Sequence, residues 1–219
     1  MFNLFDGYLK AKGYLAMGGQ IIDATIVPAP RQRNSRDDNP VLSLSKGPRS
    51  KRVKRQKDKD ARWTNKHGRA HFGYKNHISI DRRHKLVRRY AVSTASVHDS
   101  QKLGDVLDAH NTASGVWADS AYRSKAIEAK LAEQGLKSHI HRRGSRNKPL
   151  TARQEAANKT RSKVWARVEH VFGNQQGSMG GKLVRTIGIV RAAVKIGMQN
   201  LVYNMRRLVV LERIALAGG

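Results

Sequence analysis

The segment GGQIIDATIV at residues 18–27 places the strongest constraint on the fold. It is rich in β-branched residues and follows two glycines that end a helix-like opening stretch, which is the pattern of a β-strand. Side chains alternate between the two faces of a strand, so Ile21 and Asp23 share one face while Ile22 and Ala24 share the other. Both faces are mostly apolar. The segment therefore predicts a central strand, covered on both sides, with one acid set into it.

The rest of the chain alternates between strand and helix patterns. Strands are predicted at 71–81, 86–96, 114–122 and 137–143, and helices at 97–111, 124–134, 151–173 and 183–214. Residues 28–69 lack periodicity, are strongly basic and contain four prolines, which predicts an exposed arm or long loop. An apolar stripe in the last helix is typical of packed core. This order of elements predicts a mixed α/β layered domain.

The charge of the chain indicates the kind of partner it binds. Lysine and arginine number 43 against 16 aspartate and glutamate, which gives a net charge of +27. Such a charge binds polyanions readily, and nucleic acid is the leading candidate because phosphate neutralisation releases counterions. A protein that coats RNA, or a basic face that is merely solvated, has the same composition. Charge alone therefore predicts nucleic-acid binding and does not distinguish an enzyme from a binding protein.

Two further features exclude whole classes of protein. The chain has no cysteine, which rules out a disulfide scaffold, a thiol nucleophile and a cysteine zinc site. No apolar run approaches the roughly 18 residues that a membrane span needs. We therefore expect a cytoplasmic protein with no membrane partner.

Three acids occupy positions where the pattern predicts burial. Asp23 lies in the middle of a strand, Asp119 ends the strand at 116–119, and Glu169 lies between apolar residues of a predicted helix. A buried carboxylate is costly unless it is paired or bound to metal. One interpretation is that each acid pairs with an arginine, such as Arg161 or Arg167. Because the three acids come from two strands and a helix of one layer, a shared metal site is the stronger prediction.

The chemistry of such a site is specific. Carboxylate oxygens from two neighbouring strands and a helix are suitable ligands for a pair of Mg²⁺ ions. Two ions roughly 4 Å apart activate a water or a 3′-hydroxyl and stabilise the leaving oxygen of an in-line phosphoryl transfer. Basic surroundings would hold the phosphodiester backbone. The acids therefore predict metal-dependent cleavage or transfer of nucleic-acid strands.

Several motifs, taken in order, resemble one known family. IIDAT, GYKNH, WADSAY and RVEHVFG are similar to motifs of the DDE transposases of bacterial insertion sequences, specifically those of the insertion-sequence-five (IS-five) group. The resemblance covers nearly the whole chain except residues 40–57. It implies a ribonuclease-H-like mixed sheet flanked by helices, with a long basic loop or arm and a C-terminal helix.

The resemblance also implies roles for particular residues. The catalytic and metal-binding triad of the family falls on Asp23, Asp119 and Glu169, with Mg²⁺ or Mn²⁺, two ions, as cofactor. The residues expected to contact DNA are Lys75, Tyr122, Arg161 and Arg167, although Tyr122 is equally well explained as a packing aromatic. The implied partner is double-stranded DNA, both the ends of the element and its target, and a homo-oligomer and a nucleoid-associated location are expected.

The sequence departs from the family in its organisation and in two side chains. Residues 1–17 are expected to be a remnant of an N-terminal helical domain, followed by the catalytic domain at 18–182 and a helical segment at 183–219. Trp165 and Gln176 stand where family members usually have basic residues. The sequence therefore predicts a transposase, and leaves open a catalytically inactive DNA-binding remnant or a stand-alone ribonuclease-H-like nuclease.

Overall fold

The computed structural model describes residues 1–31, 57–66 and 68–218. Its strands are β1 (Gln20–Pro28), β2 (Arg62–Lys66), β3 (Arg69–Asp81), β4 (Val87–Thr94), β5 (Gly115–Trp117) and β6 (Lys137–Ser138). Its helices are α1 (Phe2–Ala11), α2 (Leu103–Val106), α3 (Lys125–Glu133), α4 (Ala152–Gln176) and α5 (Ile189–Ala217). Single 3₁₀ turns precede α2 and follow β5.

The six strands form one mixed sheet with β1 at its centre. The order is β2-β3-β1-β5-β6, and β4 also pairs with β3. β1 is antiparallel to β3 and parallel to β5, and β5 is parallel to β6. Because β1 has a partner along both edges, the predicted central position of the strand is confirmed.

Helices cover both faces of the sheet, and the alternation of β1 divides the core between them. Ile21 packs with Trp117 of β5 and with Val168 and Val171 of α4. Ile22 points the other way and packs in a second cluster with residues of α2 and α3. The apolar residues on both faces of β1 are therefore each buried under a helical layer, as the sequence predicts, and the mixed α/β class is confirmed.

Most predicted elements are present. The antiparallel pair at 71–81 and 86–96 corresponds to β3 and β4, and the helix at 124–134 is α3, which begins after Ser124 and ends before Gly135. The long helix at 151–173 is α4, which ends three residues later than predicted and has a capping box between Thr151 and Gln154. No helix in the described ranges is long and apolar enough to cross a membrane.

The helix predicted at 97–111 is wrong in length. Only a 3₁₀ turn and the four-residue α2 form, because Leu107 has extended backbone angles. The next residue is held by a side chain of β1. The Asp108 backbone N–H donates to Gln20 Oε1 at 2.9 Å, and Gln20 Nε2 donates to the Asp108 carbonyl at 3.4 Å. These long-range bonds replace the local ones that would continue the helix.

The arm predicted over 28–69 is wrong at its C-terminal end. Residues 62–66 form β2, which pairs with β3. Just before it, Asp58 is buried and accepts a hydrogen bond from the Tyr74 hydroxyl at 2.7 Å. β2 pairs with the strand that follows it in sequence, with Lys66 opposite Arg69, and the basic composition of the segment hides this pairing. The part of this prediction that concerns residues 32–56 and 67 lies outside the described residues.

The apolar stripe predicted to pack in the last helix is only partly buried. Of its members Leu201 and Leu208 are buried, whereas the exposed ones are Val194, Met198 and Met205. The buried face of α5 includes two asparagines instead. Asn200 hydrogen-bonds with Asn76 of β3, and Asn204 bonds to the backbone of β4. Polar residues that occupy core positions shift the buried face away from the one that apolar spacing predicts.

Candidate active site

Asp23 lies on the face of β1 that α4 covers. It shares that face with Ile21 and Thr25, since the intervening residues point to the other cluster. Its Oδ1 accepts a hydrogen bond from the Ala24 backbone N–H at 2.8 Å. The side chain is partly buried, so its carboxylate can still be reached from solvent. β1 thus presents one acid at the edge of the core beneath a long helix.

Asp119 follows β5, the parallel neighbour of β1. Ile21 pairs with Trp117, so two residues further along each strand Asp23 and Asp119 come level on the same face. The predicted strand at 114–122 is short and ends at Trp117, and the chain then turns. Asp119 caps this turn through its Oδ1, which accepts from the Ala121 N–H at 2.8 Å. The turn fixes the second carboxylate beside the first.

The environment of Asp23 disfavours its charged form. Burial raises the pKa of Asp23 to about 8, the Ala24 N–H opposes the rise, and the nearby carboxylates of Asp119 and Asp99 add to it. Lys66 of β2 lowers the pKa of Asp23 only in part. Burial, more than neighbouring charge, therefore favours the protonated form of Asp23 near neutral pH. A cation bound beside Asp23 and Asp119 would favour the ionised form instead.

Glu169 lies on α4, which packs on the same face. Its neighbours Val168 and Val171 are buried against Ile21 and Trp117. The expectation that Glu169 itself is buried is wrong. The side chain is exposed and forms no hydrogen bond or ion pair within the described residues. Helix α4 turns the valines inward and leaves the glutamate at the rim, because residue 169 is one position past the apolar stripe.

A hydrogen bond fixes the rim of α4 over the strand that carries Asp23. Gln176 Nε2 donates to Thr25 Oγ1 at 2.9 Å, and Gln176 follows Glu169 by seven residues, or two helical turns. Glu169 and Gln176 therefore share one side of α4, and Asp23 and Thr25 share one side of β1. The structure brings all three acids to one face of the sheet, with Glu169 at its edge.

Two of the three acids have the chemistry and position to bind a hard divalent cation. Asp23 and Asp119 supply carboxylate oxygens from adjacent strands, and Glu169 on the covering helix has no competing partner in the described ranges. Within residues 1–31, 57–66 and 68–218, no three histidine, aspartate or glutamate side chains lie close enough together to hold a metal ion. The carboxylate pair thus fits a metal, and the third ligand is not assembled with it.

Two residues expected to contact DNA are buried on the opposite face of the sheet. Lys75 forms an ion pair with Asp99 at 2.8 Å and donates to the Val97 carbonyl at 2.8 Å. Tyr122 packs in the cluster that contains Ile22, which agrees with its alternative role as a packing aromatic. Burial raises the pKa of the Tyr122 hydroxyl well above its ordinary value. The negative charges of Asp23, Asp99 and Asp119 raise it further. Contact of either residue with DNA stays a prediction.

The two arginines of α4 do not pair with the acids. Arg167 Nη1 donates to the Arg82 carbonyl at 2.9 Å, and Arg161 Nη1 donates to the Ile140 carbonyl at 3.4 Å. The interpretation that Arg161 or Arg167 neutralises the acids is therefore wrong for this structure. Their positive charges remain available to an anion.

Asp99, on the Lys75 side of the sheet, is a charged neighbour of the site that the sequence does not reveal. It is the ion-pair partner of Lys75, and its charge contributes to the raised pKa of Asp23. The sequence offers one signal, an acid within VHDS just after the second strand of the antiparallel pair. Nothing local to that segment indicates that it approaches β1, so its place depends on the tertiary fold.

Comparison with known proteins identifies the family of the chain. The model of the transposase DDE domain family matches residues 15–205. The chain belongs to this family. The transposase for insertion sequence element IS1106 of Neisseria meningitidis serogroup B is 27% identical over 207 residues, which cover 94% of this chain and 70% of that protein. No solved structure matches the chain significantly.

Membership of the family confirms two predictions. The mixed sheet flanked by helices is the ribonuclease-H-like domain of a DDE transposase, and the chain is a transposase of the insertion-sequence type. Enzymes of this family act on DNA and use divalent metal ions. Assignment to the IS-five group stays a prediction.

Proposed function

We propose that this transposase catalyses metal-dependent DNA strand cleavage and strand transfer through Asp23, Asp119 and Glu169. The observation that carries the proposal is that Asp23 of β1 and Asp119, two residues after the end of β5, follow the paired residues Ile21 and Trp117 and interact through their charges. The covering helix that bears Glu169 lies on the same face, and burial, with a further contribution from Asp119, raises the pKa of Asp23 to about 8.

Each acid has a distinct task in this proposal. Asp23 and Asp119 would hold the cation through their carboxylate oxygens, with the proton of Asp23 released to solvent, and the Ala24 N–H orients Oδ1 of Asp23. Asp119 is held by its cap on the following turn. Glu169, at the rim of α4, would be the third oxygen donor. Two Mg²⁺ or Mn²⁺ ions, when bound, would supply activation of a water or a 3′-hydroxyl and stabilisation of the leaving oxygen.

The proposed substrates are double-stranded DNA, both the element ends and the target. Hydrolysis frees the 3′-hydroxyl ends, which then attack target DNA by transesterification. Because an element has two ends, we propose that two copies of the chain act together at the nucleoid. In this proposal residues 18–182 form the catalytic domain, flanked by helical segments at 1–17 and 183–219.

One observation favours a second candidate function, that of a catalytically inactive DNA-binding remnant. Glu169 is exposed and stands apart from the carboxylate pair. Gln176, where the family usually has a basic residue, is engaged by Thr25. A remnant of this kind binds DNA through its charge alone and interferes with an intact transposase without cutting.

The test is nicking of a supercoiled plasmid that carries the flanking DNA of the gene, with Mg²⁺ or Mn²⁺. Wild type is compared with Asp119→Asn and with the matched control Asp105→Asn, an exposed aspartate paired with Lys102. Asparagine can still cap the turn after β5, so the fold is kept. We expect wild type and Asp105→Asn to nick in the presence of metal and Asp119→Asn to lose activity by at least about a hundredfold.

Two results decide between the candidates. Nicking that survives in Asp119→Asn shows that the reaction does not use this site. Absence of nicking in wild type, together with tight and salt-sensitive DNA binding, establishes the inactive remnant.

A further inference from the structure

A group of cations surrounds the N-terminal half of α4. Two neighbouring open cavities of about 270 and 440 Å³ lie there, and Arg142 lines both. The other cations that line one cavity or the other are Arg123, Arg143, Lys148, Arg153 and Arg161. We call the three best-defined members, Arg123, Arg142 and Arg161, the arginine cluster.

Hydrogen bonds bring two members of the arginine cluster together. The Nη1 atoms of Arg123 and Arg161 both donate to the carbonyl oxygen of Ile140, at 3.0 and 3.4 Å. Two guanidinium groups therefore share one neutral acceptor. Each retains other N–H donors that this oxygen does not occupy.

Asn158 of α4 positions the third member. The Arg142 backbone N–H donates to Asn158 Oδ1 at 3.0 Å, and Asn158 Nδ2 donates back to the Arg142 carbonyl at 2.8 Å. Arg161 Nη1 also reaches Asn158 Oδ1, at 3.3 Å. One asparagine thus joins the backbone of Arg142 to the side chain of Arg161. The backbone of the cluster is fixed, while the side chain of Arg142 stays exposed.

The charges of the arginine cluster are poorly compensated. In the described part of the chain, its members form one ion pair, between Arg123 and Glu128 at 3.5 Å. Burial lowers the pKa of Arg161, and repulsion from Arg123 and Arg142 lowers it further. Guanidinium groups that repel one another beside a cavity are stabilised when an anion enters between them.

We propose that the arginine cluster binds a phosphodiester group of duplex DNA other than the one that is cut. The inference rests on the proposed function for the identity of the substrate. Arg161 precedes Glu169 by eight residues on α4, or about 12 Å along the helix axis. With a rise of about 3.4 Å per base pair, this corresponds to a phosphate roughly three to four base pairs from the scissile position.

The openness of the site favours a DNA backbone over a small anion. Arg142 is exposed and lies between the two cavities, so its guanidinium can serve either. Arginines that line two neighbouring cavities can contact successive phosphates of one DNA strand. Arginine suits the task because its planar fork bonds two phosphate oxygens at once.

The experiment measures binding of a labelled DNA duplex in EDTA, at a series of KCl concentrations, by fluorescence anisotropy. The variants are Arg142→Gln, Arg161→Gln and Arg161→Lys, and the matched control is Arg213→Gln, an exposed arginine on α5. The plot of log K against log salt has a negative slope. Loss of one phosphate contact is expected to make that slope less steep by about 0.9, which corresponds to an affinity about eightfold lower at 0.1 M salt. Arg161→Lys should retain most of the slope, and Arg213→Gln should keep the wild-type slope.

The outcomes separate this inference from the proposed reaction. Equal slopes for Arg142→Gln and Arg213→Gln overturn the inference even if wild type nicks plasmid. Weakened binding by Arg142→Gln, in a protein that never nicks, supports the inference and rejects the reaction. A duplex RNA that binds more tightly than DNA and depends on the same arginines overturns the assignment to DNA. Since the side chain of Arg142 makes no hydrogen bond in the described structure, its variant should fold even if Arg161→Gln does not.

Discussion

The raised pKa of Asp23 makes a prediction about stability that needs no metal and no DNA. Replacing Asp23 with asparagine removes an ionisable group while it keeps an oxygen that can accept from the Ala24 N–H. Burial raises the pKa of Asp23 from 3.8 to about 8. The folded protein therefore holds a proton that the unfolded chain releases. The contribution of this proton to the unfolding free energy is fully present below about pH 4 and is lost as the pH rises towards 8.

The size of the effect follows from the shift. Above the ordinary pKa of 3.8, each pH unit up to about 8 lowers the unfolding free energy of wild type by about 1.4 kcal/mol relative to a protein without this group. At pH 7 the unfolding free energies of the two proteins therefore differ by about 4 kcal/mol. Asp23 keeps some contact with solvent, which reduces the cost. We therefore expect Asp23→Asn to be about 2 to 4 kcal/mol more stable than wild type at pH 7, and close to wild type near pH 4.

Urea unfolding in EDTA at several pH values between 5 and 8 measures this difference directly. Titrating groups that do not interact with Asp23 affect both proteins equally, so the difference in unfolding free energy reports Asp23 together with its coupling to Asp119 and Asp99. Asp105→Asn serves as a surface control and should stay within about 0.5 kcal/mol of wild type. Parallel curves for wild type and Asp23→Asn, or a variant that is less stable at pH 8, would refute the reasoning.

Three further predictions concern the metal and the core. Mg²⁺ should raise the thermal unfolding midpoint of wild type more at pH 8.5 than at pH 7, because Asp23 must lose its proton to bind the cation. Calorimetry measures the midpoint, and Asp119→Asn should show no such rise. Gly197→Ala on α5 should lose about 1 to 3 kcal/mol in urea unfolding because its new methyl group meets the Tyr90 ring, whereas Gly173→Ala on α4, with open space around it, should gain up to about 1 kcal/mol. Asn200→Ala should lose about 2 to 4 kcal/mol, because two buried amide partners are left unsatisfied, and chemical denaturation with an unchanged m-value checks it.

Local sequence patterns predicted the elements whose ends and buried faces can be read from neighbouring residues. The segment around Asp23 is apolar on both faces, so it had to lie between two layers, and it is the central strand. The helix α4 carries its own N-terminal signal, Thr151 followed by Gln154, and an inward valine stripe, and it forms nearly as predicted. Propensity and alternation act over a few residues, so the sequence displays them directly.

Two of the wrong predictions share one cause, which is competition from a distant part of the chain. The helix at 97–111 stops because Gln20 takes the backbone of Asp108. The face of α5 that packs is shifted because buried asparagines find partners on β3 and β4. In both cases the deciding hydrogen bonds join residues far apart in sequence, which no local pattern records. The strand at 62–66 has a different cause, because it pairs with the strand that follows it, with Lys66 opposite Arg69.

The sequence by itself determined the chemistry of this transposase: a basic chain, three acids in apolar surroundings, and the strands and helix that carry them. Only the tertiary structure decided how these groups meet. The register of β1 with β5 makes Asp23 and Asp119 level, and the packing of α4 leaves Glu169 exposed at the rim. Folding around Ile140 gathers the arginine cluster from three separate segments. Residue type fixes what a group can do, whereas distances between groups arise from contacts that form when the chain folds.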